Sequence, residues 1–195
     1  MTTIALFHSV LGVRQGVLEA AERLRQDGHD VLVPDIFEGR TFDDYQPAMT
    51  FAWEELGHAE LLRRSREAVA GLPDGFVSAG FSLGCVMAVH VALQRKASGV
   101  LMIAGAVPVS AFGDGSVWPA GLAAQSHSTI GDPWREQEEI DQAVRDVEAG
   151  GGTIELFDYP GSGHLFNDPT LPDEYDPDVT ELFWSRALPF VRACG

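Results

Sequence analysis

Apolar positions along the chain come in two alternating kinds of segment. Six short runs have little or no polar alternation: "TIALFH" (3–8), "HDVLVP" (29–34), "GFVSAG" (75–80), "GVLMIAG" (99–105), "GLAAQSHS" (121–128) and "GTIELFDY" (152–159). Runs of this length and type read as strands buried on both faces. Between them the period changes to that of a helix. Val13, Val17, Ala21 and Leu24 fall on one helical face, closed by Gly28. Further helices are predicted at about 57–71, through "LGCVMAVHVALQ" (83–94), at about 135–149 and at about 178–192, with Pro189 expected to end or bend the last. The stretch "DIFEGRTFDDYQPAMTFAWEEL", over 35–56, reads as a long irregular loop. Strands alternating with amphipathic helices predict an α/β fold with a mostly parallel central sheet of about six strands, covered by helices on both faces.

Composition narrows this picture. At 195 residues and 45% hydrophobic, the chain can bury one substantial core, so a single domain over 1–195 is expected. No apolar run approaches a membrane span, and "MTTIALFHSV" lacks the basic and apolar blocks of an export signal, so a cytoplasmic location is expected. The 29 acidic and 13 basic residues give a formal net charge of −16, with Lys96 the only lysine. Such a surface repels phosphate backbones and anionic lipids. The expected partner is therefore a small molecule, with no nucleic acid and no membrane, and the protein is expected as a monomer or homodimer. Cys85 and Cys194 are too few for a disulfide framework, and neither they nor the histidines show metal-ligand spacing; no metal or cofactor is expected.

In parallel sheets chemistry gathers at the carboxyl ends of the strands. Gly80-Phe81-Ser82-Leu83-Gly84 follows the third strand and fits G-x-S-x-G, a tight strand-to-helix turn that lifts a serine hydroxyl out of the sheet. Asp132 follows the fifth strand and His164 the sixth, so the chain order is Ser, Asp, His, as in α/β-hydrolases. His164 would take the Ser82 proton and Asp132 would orient the imidazole. The N–H groups of Leu83, after the elbow, and Val10, after the first strand, are the expected oxyanion donors. His8 and Ser9 beside Val10, with Phe37, Trp53, Trp118 and Phe166, are the expected pocket residues.

With these residues in place, "LFHSVLGVRQGVLEAAERLRQDGHDVLVPDIFEGR", the elbow, "GDPW" and "YPGSGHLFNDP" together resemble the dienelactone hydrolase family of α/β-hydrolases over nearly the whole chain. The resemblance implies a hydrolase sheet shortened at its N-terminal edge and supports Ser82, Asp132 and His164 as the triad. It also exposes departures. The enzymes that give the family its name use a cysteine nucleophile, where this chain has Ser82; a glutamate after the first matching strand, where it has Ser9; and an arginine after the histidine, where it has Asp168. With Asp173, Glu174, Asp176 and Asp178 following, an entrance that repels carboxylates is expected, Arg40 being the alternative cation.

The expected function is therefore a serine hydrolase acting on a small neutral ester or lactone through an acyl-enzyme. A thioesterase or acyltransferase would use the same triad, and a non-catalytic binding protein could keep the fold. Plainer readings stand beside the residues: Ser82 as a turn residue, Asp132 as a turn former before Pro133 with Asp158 or Asp168 as the acid, His164 bound to a carbonyl, and structural roles for His8 and His127. Cys85, one turn into a buried helix, is a poor nucleophile.

Overall fold

The computed structural model describes residues 1–113 and 115–195. Each predicted strand forms: β1 (Thr3–Phe7), β2 (Asp30–Leu32), β3 (Phe76–Phe81), β4 (Ala97–Ile103), β5 (Ala123–Thr129) and β6 (Thr153–Tyr159). They make a six-stranded sheet in the order β2-β1-β3-β4-β5-β6, with every pairing parallel. The chain runs outward from β1 to β2 and then returns to build the other side from β3. Strand order therefore reverses between β1 and β3, and a crevice opens at their carboxyl ends, where Val10 and Ser82 lie.

The central strands are buried on both faces, which explains their unbroken apolar runs. Leu101 and Ile103 pack in one cluster with Val17, Ala21 and Leu24 of α1 (Gln15–Gln26); Val100 and Met102 pack in a second with Cys85 and Val89. After α2 (Tyr45–Thr50) and α3 (His58–Ala68), α4 (Leu83–Gln94) is buried nearly all round, as its almost wholly apolar sequence requires. The last helices are α5 (Gln137–Ala149) and α6 (Pro177–Ala193). Among the described residues, no helix is long and apolar enough to cross a membrane.

One expectation is corrected. Residues 35–56 are not irregular throughout: α2 runs directly into a π-helical turn at Phe51–Leu56, closed by a Gly57 N–H bond to the Ala52 carbonyl at 3.0 Å. Pro47 is accommodated because it occupies the first turn of α2, where an N–H has no helical acceptor. Of the two outcomes expected at Pro189, ending the helix does not occur. The helix continues to Ala193 because Phe183, Trp184, Ala187 and Val191 are buried along it, and that packing outweighs one missing N–H bond.

Two histidines are structural: His8, which the sequence places in the pocket, and His127. His8 is fully buried; its Nδ1–H donates to the Ser9 carbonyl at 2.7 Å and its Nε2 accepts from Ile36 N–H at 3.1 Å, which fixes one neutral tautomer. His127 is fully buried against Phe157, Tyr159 and Phe183, and desolvation holds its pKa down to about 3. In the unfolded chain the imidazole titrates near its ordinary value, so the stability it contributes is fully present above that pH and is lost as the pH falls toward 3. Denaturant unfolding should lose about 2 kcal/mol between neutrality and about pH 5 from this one site. His127→Phe should flatten the slope by that amount; an unchanged slope would show that the ring is protonated in the native state.

Candidate active site

The elbow depends on two backbone contacts that only glycine permits. A Cβ on Gly80 would collide with the Gly84 carbonyl, and one on Gly84 would sit 2.5 Å from the Phe7 carbonyl oxygen. Their absence lets α4 start immediately above β1 and β3. Between them Ser82 adopts φ 53° and ψ −114°, a strained conformation for a residue with a side chain. Its N–H donates to Ile103 O at 2.8 Å, which anchors the turn to the end of β4.

His164 reaches Ser82 from the loop after β6. Its Nε2 lies 2.7 Å from Ser82 Oγ, and its Nδ1 lies 2.7 Å from Asp132 Oδ2. Because an ionised carboxylate only accepts, Nδ1–H donates to Asp132 and Nε2 is left to accept from the serine hydroxyl. The other Asp132 oxygen accepts from Trp134 N–H at 2.8 Å, closing the turn at the start of the loop after β5. The two loops are tied together: Thr129 Oγ1 donates to Gly163 O at 2.9 Å and Gly131 N–H to Gly161 O at 2.9 Å. Glu174 adds a further tie, its carboxylate accepting from Leu165 N–H at 2.6 Å and from the Tyr45 hydroxyl at 2.9 Å. The structure thus brings Ser82, His164 and Asp132 into one hydrogen-bonded chain. Asp158 and Asp168 stand outside it: Asp158 pairs with Arg135 at 2.8 Å, and Asp168 with Arg14 at 3.3 Å.

The family model for the dienelactone hydrolase family matches residues 1–195. The chain belongs to the dienelactone hydrolase family. Solved structures agree in fold: a dienelactone hydrolase-like promiscuous phosphotriesterase from metagenomic libraries superposes with a TM-score of 0.83 at 17% identity, over 100% of this chain and 87% of that one. A phospholipase/carboxylesterase from Dyadobacter fermentans does so with a TM-score of 0.68 at 16% identity, over 96% and 90%. No curated protein matches the chain by sequence.

In this dienelactone hydrolase family member, Ser82 and His164 open onto a cavity of about 230 Å³ that Val10 and Leu83 also line. Its wall on one side is Ala104–Val107, where Ala104 takes φ 58°, a second strained position beside the site. Of the residues expected as pocket walls, Trp53 lines it and the rest do not. Phe37 is buried against His8 and Phe51; Phe166 packs between Tyr159 and Phe183; Trp118 lies in the second core cluster, donating to Leu122 O at 2.9 Å. His8 is held as described above, and the Ser9 hydroxyl accepts from Leu11 N–H at 3.2 Å, shaping the loop that presents Val10. These four rings and the serine are large or local enough to be used by core and loop before any ligand arrives.

The cavity residues that sequence reasoning missed are chiefly Tyr45, Met49, Trp134 and Glu139. Tyr45, Met49 and Trp53 are spaced i, i+4, i+8, a helical stripe that could have been seen inside the stretch read as a loop. Two of the carboxylates expected at the entrance, and the alternative cation, are engaged elsewhere. Asp168 is 3% exposed, bound by Arg14 and by Thr170, and Asp176 caps α6; Arg40 pairs with Glu55 and lies over Phe51. The carboxylate that lines the cavity is Glu139.

Cys85 is among the residues lining the cavity, but burial pushes its thiol pKa up to about 12, and Sγ lies within hydrogen-bond reach of the Gly80 and Ile103 carbonyls. Iodoacetamide at about pH 8 should leave Cys85 unmodified in the folded protein and alkylate it on unfolding, read by peptide mass. Rapid alkylation of the native protein at Cys85 would show a thiolate and overturn this assignment.

Proposed function

We propose that this protein is a serine hydrolase that cleaves small neutral carboxylic esters or lactones through an acyl-enzyme. The observation that carries the reading is the pair of 2.7 Å contacts from His164, one to Ser82 Oγ and one to Asp132, at the mouth of the cavity. As Ser82 Oγ attacks the ester carbonyl, its proton passes to His164 Nε2. The imidazolium that forms is stabilised by Asp132, which is buried behind it and held at both oxygens. The tetrahedral oxyanion is received by the N–H groups of Val10 and Leu83, the second on the positive N-terminal turn of α4. His164 then gives its proton to the departing alcohol, and water, deprotonated by the same imidazole, releases the acid and restores Ser82.

The lining supports the preference for uncharged over anionic substrates. Among the described residues, no lysine or arginine lines the cavity, so a substrate carboxylate would leave water without a cation to receive it. Burying it beside Glu139 adds repulsion.

Steady-state hydrolysis of p-nitrophenyl acetate and of the matching succinate half-ester tests this. Ser82→Ala should lower kcat by roughly four orders of magnitude or more, and Asp132→Asn by a similar factor. The acetate should outrun the anionic half-ester in kcat/KM. Full activity in Ser82→Ala, or in Asp132→Asn, would remove the triad from the chemistry.

A further inference from the structure

Four features of the cavity have no use in the chemistry just described: the rings of Tyr45, Trp53 and Trp134, and the carboxylate of Glu139. Trp53 and Trp134 are 43% and 47% exposed, so core packing does not account for them. The Tyr45 and Trp134 rings lie 5.6 Å apart, tilted by 47°, and form a corner beside the imidazole of His164, at 6.0 and 6.3 Å. Tyr45 is fixed there by its hydrogen bond to Glu174, and donation to a carboxylate enriches the ring in electron density. Aromatic faces around a carboxylate are the surroundings that bind an ammonium group, through ring quadrupole and charge together.

On the reading of Ser82 as nucleophile, we infer that the preferred substrates are esters whose alcohol portion carries an alkylammonium group, and that Glu139 is the residue that selects for it. The alcohol side is fixed by the chemistry: its oxygen takes a proton from His164 Nε2, so the rest of the alcohol lies against the rings that flank that imidazole. Competing charges do not reverse the sign. Arg135, in the adjoining cleft, is paired with Asp158 at 2.8 Å. The first turn of α5 carries about half a positive charge, but Glu138 and Glu139 lie within it. The overall charge of −16 also draws cations toward the molecule.

Two acetate esters of nearly identical shape test the inference: that of choline and that of 3,3-dimethylbutan-1-ol, which differ in a quaternary nitrogen against a carbon. The choline ester should be favoured about tenfold in kcat/KM at low salt, less as salt is raised. Glu139→Gln, on an exposed helical turn, should cut that preference about fivefold, through KM. Titrating both esters into Ser82→Ala and following tryptophan fluorescence reads binding apart from turnover. Tighter binding of the choline ester there, with no hydrolysis by the wild type, would uphold the ammonium site and sink the hydrolase reading. Equal handling of the two esters in both assays, or a preference that survives Glu139→Gln unchanged, would overturn the inference.

Discussion

The close approach of α4 to the ends of β1 and β3 is the constraint on which the site depends. A helix normally stands off a strand by the thickness of its side chains. Here the missing side chains of Gly80 and Gly84 let the backbone of α4 sit against the Phe7 and His8 carbonyls, and the chain between them has no room to turn except through the strained Ser82. Such strain costs on the order of 1–3 kcal/mol and persists only where the surroundings over-determine it. They do so here: Phe81, Met87 and Ala88 are buried in the core and Ser82 N–H is bound to β4. A rigid core thus holds the serine hydroxyl in one place, partly buried, at the start of a helix.

The same logic extends to the partners. Asp132 and His164 come from loops after neighbouring strands, β5 and β6, whose parallel register brings Thr129 opposite Tyr159. Hydrogen bonds between those loops then fix the imidazole relative to the carboxylate, and Gly163 allows the chain to pass under the Glu174 backbone just before His164. The segment carrying Tyr45, Met49 and Trp53 covers this arrangement from the far side of the crevice and is fastened through Glu174 to the His164 loop. Ser82, His164 and the covering segment are therefore mechanically connected, although they are far apart in sequence.

Much of this is legible in the sequence. The six strands follow from unbroken apolar runs, because strands buried on both faces need no polar alternation, and the hydrogen-bonded chain follows from where Ser82, Asp132 and His164 fall after their strands. What was not legible has physical causes. The α2 segment is short, begins with a proline in its first turn and passes into a π-helical turn, so its period departs from 3.6 residues. Large aromatic residues near strand ends, Phe37, Trp118 and Phe166, look the same in sequence whether they face a ligand or the core; tertiary packing decides, and here it chose the core. Asp168 misled for a similar reason, since a carboxylate's position in the chain says nothing about Arg14, which is distant in sequence and neutralises it.

The central claim is that the strained, imidazole-bound Ser82 is an activated nucleophile. Intact-mass measurement after exposure to a fluorophosphonate probe, on the wild type and on Ser82→Ala, tests it most directly, because the reagent reports the serine itself and requires no knowledge of the substrate. The account predicts one adduct on the wild type and none on Ser82→Ala. A wild-type protein that stays unlabelled, or an adduct that persists without Ser82, would contradict it.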